Sequence, residues 1–551
     1  MSETPFQWTE WSPRIAGLSA PHGNGAKLIE PPLALADDMA EANRQIVSAA
    51  DYDVQGRALA ELSSAARQEL LAAALSYTRK YRDVCVTANP HWIFMAGHQP
   101  EMFHPGVWFK NFVLARLAQR CGAVAVNLQI DSDAMKGASV RVPSGSLDAP
   151  NIDAVPLDRA VADMPYEQRA ILDRRQFESF GARAAEKLKP LVADPLVREF
   201  WPQVVARSQE VNNIGACLAQ ARHQWEARWG LQTLEIPQSA VCDLPSMRWF
   251  IAHLLAHLPR FWETYNSALL EYRRIHKVRS AAHPAPELEA VDDWLEAPLW
   301  IWSADNPHRR GLYVRLRGDE LVLSDRQKIE FTLSLTPEGD AAAAVEQLAV
   351  QLNRGIRLRT RALITTLAAR LLLGDLFIHG IGGAKYDELT DRIIQRFFGV
   401  NPPGYMAVSG TLHLPLGGGN GVSYRDQLRQ ANDQLRQLQF HPEMALAATD
   451  GAIANGMPIH SLIAEKRRWV ETTPTVQNAR TRCRSIRQVN EALQPAVSAL
   501  REAWTAKAGE LALRQRGQAI VTSRAYAFTL FPESALTNFL LPILENSSQS
   551  G

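Results

Sequence analysis

Apolar positions change period along the chain, and the changes mark its elements. From Leu59, apolar residues recur at Leu62, Ala66, Leu70, Ala73, Tyr77 and Tyr81, the three-and-four spacing of an amphipathic helix about six turns long. A short apolar run follows, Trp92, Ile93, Phe94, Met95 and Ala96, which ends at Gly97 and a polar loop. After Pro105 and Gly106 a helical pattern passes through Val107, Phe109, Phe112, Val113 and Leu117 and stops at Gly122. Residues 123–130 (AVAVNLQI) then read as a second strand that ends in Asp131, Ser132 and Asp133. Strand, loop, helix and strand make a βαβ unit, and in such units ligands bind at the carboxyl ends of the strands. Residues 97–101 and 131–133 lie at such ends.

Helical pattern fills most of 160–230 and 247–275, and the segments WIWSA, GLYVRLRG and ELVLS then alternate as a meander of short strands. Helical signal returns at 341–352. The apolar segment 371–378 precedes Gly380, Ile381, Gly382, Gly383, Ala384, Lys385, Tyr386, Asp387 and Glu388, and then an amphipathic helix through Leu389, Ile393 and Phe397. This repeats the strand, polar loop and helix of the first half. Past the Gly417 to Gly419 run, Leu428, Ala431, Leu435 and Leu438 form one seam. Ile486, Val489, Leu493, Val497, Leu500, Trp504, Ala508 and Leu511 form a longer one. Two long antiparallel helices are the simplest expectation, the second kinked at Pro495.

The domain plan that follows has an irregular arm over 1–45 and a discontinuous core from 46–150 and 340–420. A connecting region occupies 151–339, a helical coiled-coil domain 421–520, and 521–551 returns to the core. A length of 551 residues suits three or four units at roughly 150 residues each. Lys+Arg 59 against Asp+Glu 58 leaves a net charge of +1, without the basic field of a protein that grips phosphates along a nucleic acid. Nucleic acid is therefore not expected as a partner. The five cysteines form no CxxC pair, the first residues form no signal peptide, and 363–381 is broken by Arg370 and Asp375. A cytoplasmic chain without a membrane span is expected.

Candidate chemistry gathers at the strand ends. The loop Gly97, His98, Gln99, Pro100 and Glu101 sits where backbone N–H groups and a helix dipole favour an anion, although it lacks GxGxxG and GK[ST]. Its plain alternative is a capped turn. His98, Glu101 and His104 fit no standard metal-ligand spacing, so no metal is expected. Asp131 and Asp133 share a face if the strand continues through them, and are solvated loop carboxylates otherwise. Asn127 lies in the strand before them. Arg357, Arg359 and Arg361 would form an anion-binding row in extended backbone and a solvated face in a helix. Gly380, Gly382 and Gly383 would let a ligand approach the backbone, with Lys385, Tyr386 and Asp387 beside it, a tight turn being the plain alternative. His98 with Asp131 or Asp133 is the expected proton-transfer group, and Lys385 with Arg359 the expected anion holder.

The stretch MAGHQPEMFHPGVWFKNFVLARLA with VAVNLQIDSD resembles the first nucleotide-binding half of the bacillithiol-biosynthesis cysteine-adding enzyme family. LRTRALITTLAARLLLGDLFIHGIGGAKYDEL is similar to that family's Leu-Arg-Pro segment and its glycine-rich loop with an aromatic residue. The resemblance implies an α/β fold with a Rossmann-like core of the nucleotidylyl-transferase type, helical and β insertions, and a C-terminal α-helical coiled coil. By position it implies substrate-binding places for Gly97, Gln99, Lys110, Arg359, Gly382, Gly383 and Tyr386. The implied activity joins an amino acid such as cysteine to an amine-bearing small molecule, with ATP or another nucleotide as the cofactor it allows. The alternative is a non-catalytic binding or assembly module that keeps the fold. Two departures bear on the glucosaminyl malate that the resemblance implies as the amine-bearing substrate. The family's Asp- and His-rich cluster is here only Asp131, Ser132 and Asp133, and its Gln-Glu-Arg stretch is Glu533, Ser534 and Ala535. The uncovered length of the second seam adds the expectation of a homodimer.

Overall fold

Strands buried on both faces require nearly continuous apolar sequence, and residues 92–96 and 123–128 supply it. In the computed structural model, which describes residues 18–85, 90–146, 149–161, 163–416, 424–446, 453–454 and 457–545, they form two neighbouring parallel strands. The central sheet has six: β1 (Lys27–Glu30), β2 (Trp92–His98), β3 (Ala123–Gln129), β4 (Leu234–Pro237), β5 (Leu376–His379) and β6 (Tyr405–Gly410). Their order is β1-β6-β5-β2-β3-β4, and all are parallel except β1, which runs antiparallel to β6 at the edge. The chain is thus a mixed α/β protein with parallel and antiparallel sheets.

Two faces of this sheet carry different cores. On one, α1 (Ala36–Ser48) and α2 (Leu59–Arg79) share with Ile93, Met95, Val126 and Leu128 an aliphatic cluster that reaches Leu389 and Ile393. On the other lies α3 (Pro105–Cys121), with Trp108, Phe109 and Phe112 fully buried. His104 caps α3 by accepting from the Gly106 amide at 3.1 Å, Pro105 takes the first-turn position that needs no N–H, and Gly122 ends the helix at φ 61°. Behind α3 stands α4 (Ile214–Arg228). A second, antiparallel sheet of Trp294–Ser303, Asn306–Arg317, Glu320–Ser324, Glu330–Ser334 and Ile356–Thr360 adds Leu299, Ile301 and Leu323 to the aliphatic cluster.

The chain divides into two units. The larger one takes its parts from three stretches, and the last, from Arg524, returns to it. Phe528 packs tilted on Trp108, ring centroids 4.3 Å apart, and donates its amide to the Phe103 carbonyl at 2.8 Å, while the Phe531 carbonyl accepts from Leu196. The smaller unit, Pro143–Ile152 with Leu416–Ser523, is built on four principal helices, α6 (Tyr424–Phe440), α7 (Ile459–Glu471), α8 (Ala479–Leu493) and α9 (Ser498–Val521).

Several features differ from the sequence reading. β1 and α1 come from the stretch read as an irregular arm, whose first 17 residues lie outside the described ones, and β4 comes from the region read as connecting. Both strands have only four residues, too few to show a period. The apolar run 371–378 splits into a π-helical turn, Ala369–Leu373, and β5, because the buried Asp375 must bond to neighbouring backbone and arginines. The long seam is also broken: Pro495 sits in the 3-10 turn Gln494–Val497 between α8 and α9. α9 packs on α6, whereas α8 packs on α7, a helix the two-helix expectation lacked. The seam thus finds partners within its own chain, although Leu500 stays exposed. No helix among the described residues is long and apolar enough to cross a membrane.

At the start of α3 the backbone passes so close to β6 that a Cβ on Gly106 would sit 1.9 Å from the Gly410 carbonyl oxygen. Gly106→Ala is therefore expected to cost about 1–3 kcal/mol or more in denaturant unfolding of the larger unit. Gly509→Ala, with open space around its Cβ in α9, should leave stability unchanged or raised.

Candidate functional site

β2 and β5 are neighbours, with Ile378 paired to Ala96, so His98 and Gly380 leave the sheet side by side, about 4.8 Å apart. From β2 the chain turns into α3 on the aromatic face. From β5 it turns into α5 (Ile381–Ile393), whose Leu389 and Ile393 belong to the aliphatic face. Neighbouring parallel strands whose connections depart to opposite faces leave a crevice at their carboxyl ends, the usual ligand position in open α/β sheets. Asp131 and Asp133 follow β3, one strand further on. The structure therefore brings together loops 97–101, 131–133 and 380–383, the three that the sequence singled out.

On the β5 side, a residue that sequence reasoning passed over lies at the centre. His379 is buried at the strand end and its Nε2 lies 2.9 Å from Asp387 Oδ2. Asp387 also accepts from Arg370 Nη1 at 2.7 Å and from the Thr366 hydroxyl at 2.7 Å. Burial alone would raise its pKa, but the Arg370 guanidinium and His379 overcome that and hold the carboxyl well below the usual carboxylate range. An ionised carboxylate only accepts, so Nε2 donates to it, while Nδ1 has no hydrogen bond among the described residues. A Cβ on Gly383 would lie 2.7 Å from that Nδ1, so glycine is what fits beside it. Gly380 starts α5 without a side-chain cap, and a Cβ on Gly382 would meet open space. Lys385 is half-buried and forms no ion pair among the described residues, and Tyr386 packs edge-on to His283 at 5.1 Å. The signal for His379 was a histidine between an apolar run and the glycines, eight residues before an aspartate.

The β2 and β3 side is more fully bonded. His98 Nδ1 lies 3.2 Å from the Gln99 carbonyl, and burial, followed by the charge of Lys110, pushes its pKa down to about 3. The expected shuttle is thus a neutral imidazole at neutral pH. Lys110 is buried and donates to the Gly97 carbonyl, and burial, then Arg222, lowers its pKa to about 7. Gln99 donates to Asp133 at 2.7 Å, and Arg309 reaches the other oxygen of Asp133 at 3.1 Å. Asp131 accepts from the Ser239 amide and hydroxyl at the start of a short helix, and burial and Glu167 raise its pKa to about 7. Glu101 accepts from Tyr166 at 3.3 Å, and burial raises its pKa.

Beneath these loops is a buried polar layer. Arg222 bonds both Glu226, at 2.6 Å, and Glu235, while Gln129 donates to Glu235 and Trp108 and Asn111 to Glu226. Among the described residues, the Asn127 side-chain amide donates to no partner, and one oxygen of Glu226 is likewise without a hydrogen bond. The ligand atoms of His223, Glu226 and Glu235 lie within 4.8 Å of one another. Arg222 already bridges the two carboxylates, however, and the nitrogens of His223 face Tyr81 and Thr233. This cluster is a compensated ion network.

Arg359 does not present the expected anion site. It stands in the extended strand Ile356–Thr360, fully bonded between Glu167 at 2.7 Å and Asp243 at 2.8 Å. Arg357 turns back to the Leu352 carbonyl and Arg361 pairs with Glu296. Buried guanidiniums need carboxylates, and Glu167, Asp243 and Glu296 from three other elements supply them to Arg359 and Arg361.

A scan against protein-family models matches none, and a search of curated proteins finds no match.

Replacing Arg370 by Met should cost about 3–5 kcal/mol in denaturant unfolding, because Asp387 would remain buried without its guanidinium. His98 yields a pH test. The unfolded chain takes a proton at about 6.5 that the folded chain refuses until about 3, so stability falls as pH drops through that window. His98→Gln should flatten the dependence of the unfolding midpoint on pH between about 6.5 and 3 by one proton. An unchanged slope would place the imidazole in solvent.

Proposed function

We propose that the central sheet is a Rossmann-like core of the nucleotidylyl-transferase type and that its crevice joins the carboxyl group of an amino acid to the amine of a small acceptor. The observation that carries this reading is the His379–Asp387 pair, 2.9 Å apart with the carboxyl held ionised, at the end of β5 where the two strand connections part. A base fixed in this way accepts the proton that an ammonium or amine must lose as its nitrogen attacks an activated carboxyl carbon. The C–N bond forms, the leaving group departs with its electron pair, and the proton passes to His379 Nδ1.

The surroundings suit such substrates. The uncapped first turn of α5, with Lys385, favours a carboxylate or phosphate. The loops after β3 and β2 offer Asp133 and Glu101 for an ammonium group. The ends of β3 and β5 are two strand spacings, about 10 Å, apart, which is the scale of two small substrates lying together. A nucleotide would supply the activation of the carboxyl group, and the glycines at 380 and 382 leave backbone room for its phosphates.

A second reading, a binding or assembly module, draws on the bonding of Asp131 and Arg359, both committed to neighbouring elements. The two part on turnover. With cysteine or another amino acid, an amino sugar and ATP supplied together, the enzyme reading expects a condensed product detectable by mass spectrometry. His379→Gln should slow its formation by about 10²–10⁴ while ligand-induced thermal stabilisation persists. Stabilisation by these ligands with no product from the wild-type chain favours the module.

A further inference from the structure

The opposite, amino-terminal end of the sheet carries a separate cleft. It encloses about 710 Å³ between α2, the end of α1 and the starts of β2 and β4, a volume in the range of small-molecule pockets. Its lining is mixed: Leu71 and Leu75 of α2, Ile93 and Leu234 form an apolar strip, with Gln68 and Arg79 of the same helix beside it. At one end stand two arginines and a single carboxylate. Arg44 grips Asp375 through Nε and Nη2, both at 3.0 Å, and Arg67 reaches the same carboxylate at 2.9 Å.

The charges there do not balance. Asp375 is fully buried, also accepts from the Ile93 amide at 2.8 Å, and supplies one negative charge against two positive ones. Arg67 Nε is buried without a hydrogen-bond partner, and burial together with Arg44 weakens the hold of Arg67 on its proton, against the pull of Asp375. A second anion would relieve that imbalance. From Arg67, α2 presents Leu71 and Leu75 at successive turns, so the apolar strip extends about 12 Å from the charged end.

We propose that this cleft binds a small anionic amphiphile, a carboxylate or phosphate monoester headed by Arg67 and Arg44 with an unbranched apolar body along Leu71 and Leu75. The shared chemistry is an oxyanion on a chain of about eight carbons, since such a chain covers roughly the two helical turns between Arg67 and Leu75.

Octanoate, octyl phosphate, inorganic phosphate and octanol, titrated into the full chain by calorimetry, separate the terms. At least one of octanoate and octyl phosphate should bind, tenfold or more tighter than both inorganic phosphate and octanol, and the tighter of the two identifies the head group. Arg67→Gln should weaken that binding at least tenfold and leave octanol unchanged. Because Arg67 also supports Asp375, Ala72→Trp, an exposed position on the cleft lining, tests the location without touching an ion pair. It too should weaken binding at least tenfold, with the circular-dichroism spectrum unchanged. The proposal is overturned if neither amphiphile binds at millimolar concentration, if octanol or phosphate alone binds as tightly, or if the folded Ala72→Trp chain binds as the wild type does. None of these readouts depends on turnover at the crevice.

Discussion

One buried guanidinium holds the crevice side of the sheet together. Arg370 projects from the π-helical turn Ala369–Leu373 and bonds Asp387 and Asp391 on α5, the Pro403 carbonyl before β6, and the face of Tyr405 on β6 at 4.7 Å. Three pieces of chain, the π turn itself, α5 and the start of β6, meet on one planar fork, which only an arginine supplies. The wide π turn fits this role, since an inserted residue rotates Arg370 inward where an ordinary α turn would carry it past. The direction of the His379 imidazole follows from the same bond, because Asp387 is both its partner and Arg370's.

The two faces of the sheet are chemically unequal. The α2 face is aliphatic and continuous, and the α3 face carries Arg222, Glu226, Glu235, Gln129 and Asn127 beneath the β2 and β3 ends. Burying charges in this way adds little net stability even when they are paired. It does make the polar face intolerant of slippage, since every shift of β3 by one residue would strand Gln129 and Asn127 against the aliphatic side. Position, more than stability, is what this layer contributes to the loops above it.

Much of the central unit could be read from sequence because its signals are local. Pro105 and Gly122 bracket α3, and the apolar runs at 92–96 and 123–128 declare strands buried on both faces. The loops at their ends followed from the βαβ grammar. What escaped was set by distant partners. Nothing near Arg359 announces Glu167 or Asp243, and nothing near His98 reveals how deeply it is enclosed. β1 and β4 are strands only because β6 and β3 offer edges to them. His379 was hidden differently: a buried histidine in an apolar run looks like core, and only the approach of Asp387 gives it a direction.

The return of residues 524–545 to the larger unit also governs the order in which the chain can fold as it is made. Trp108 and Phe112 leave the ribosome some 400 residues before Phe528, the ring that packs on Trp108. At about 5–20 residues per second, that aromatic face waits some tens of seconds for its cover. During that interval the nascent chain displays a sticky surface beside strands that are already able to pair. A chaperone that recognises aromatic clusters would find its substrate there, and the helical unit made in between can complete its own folding before the larger unit closes.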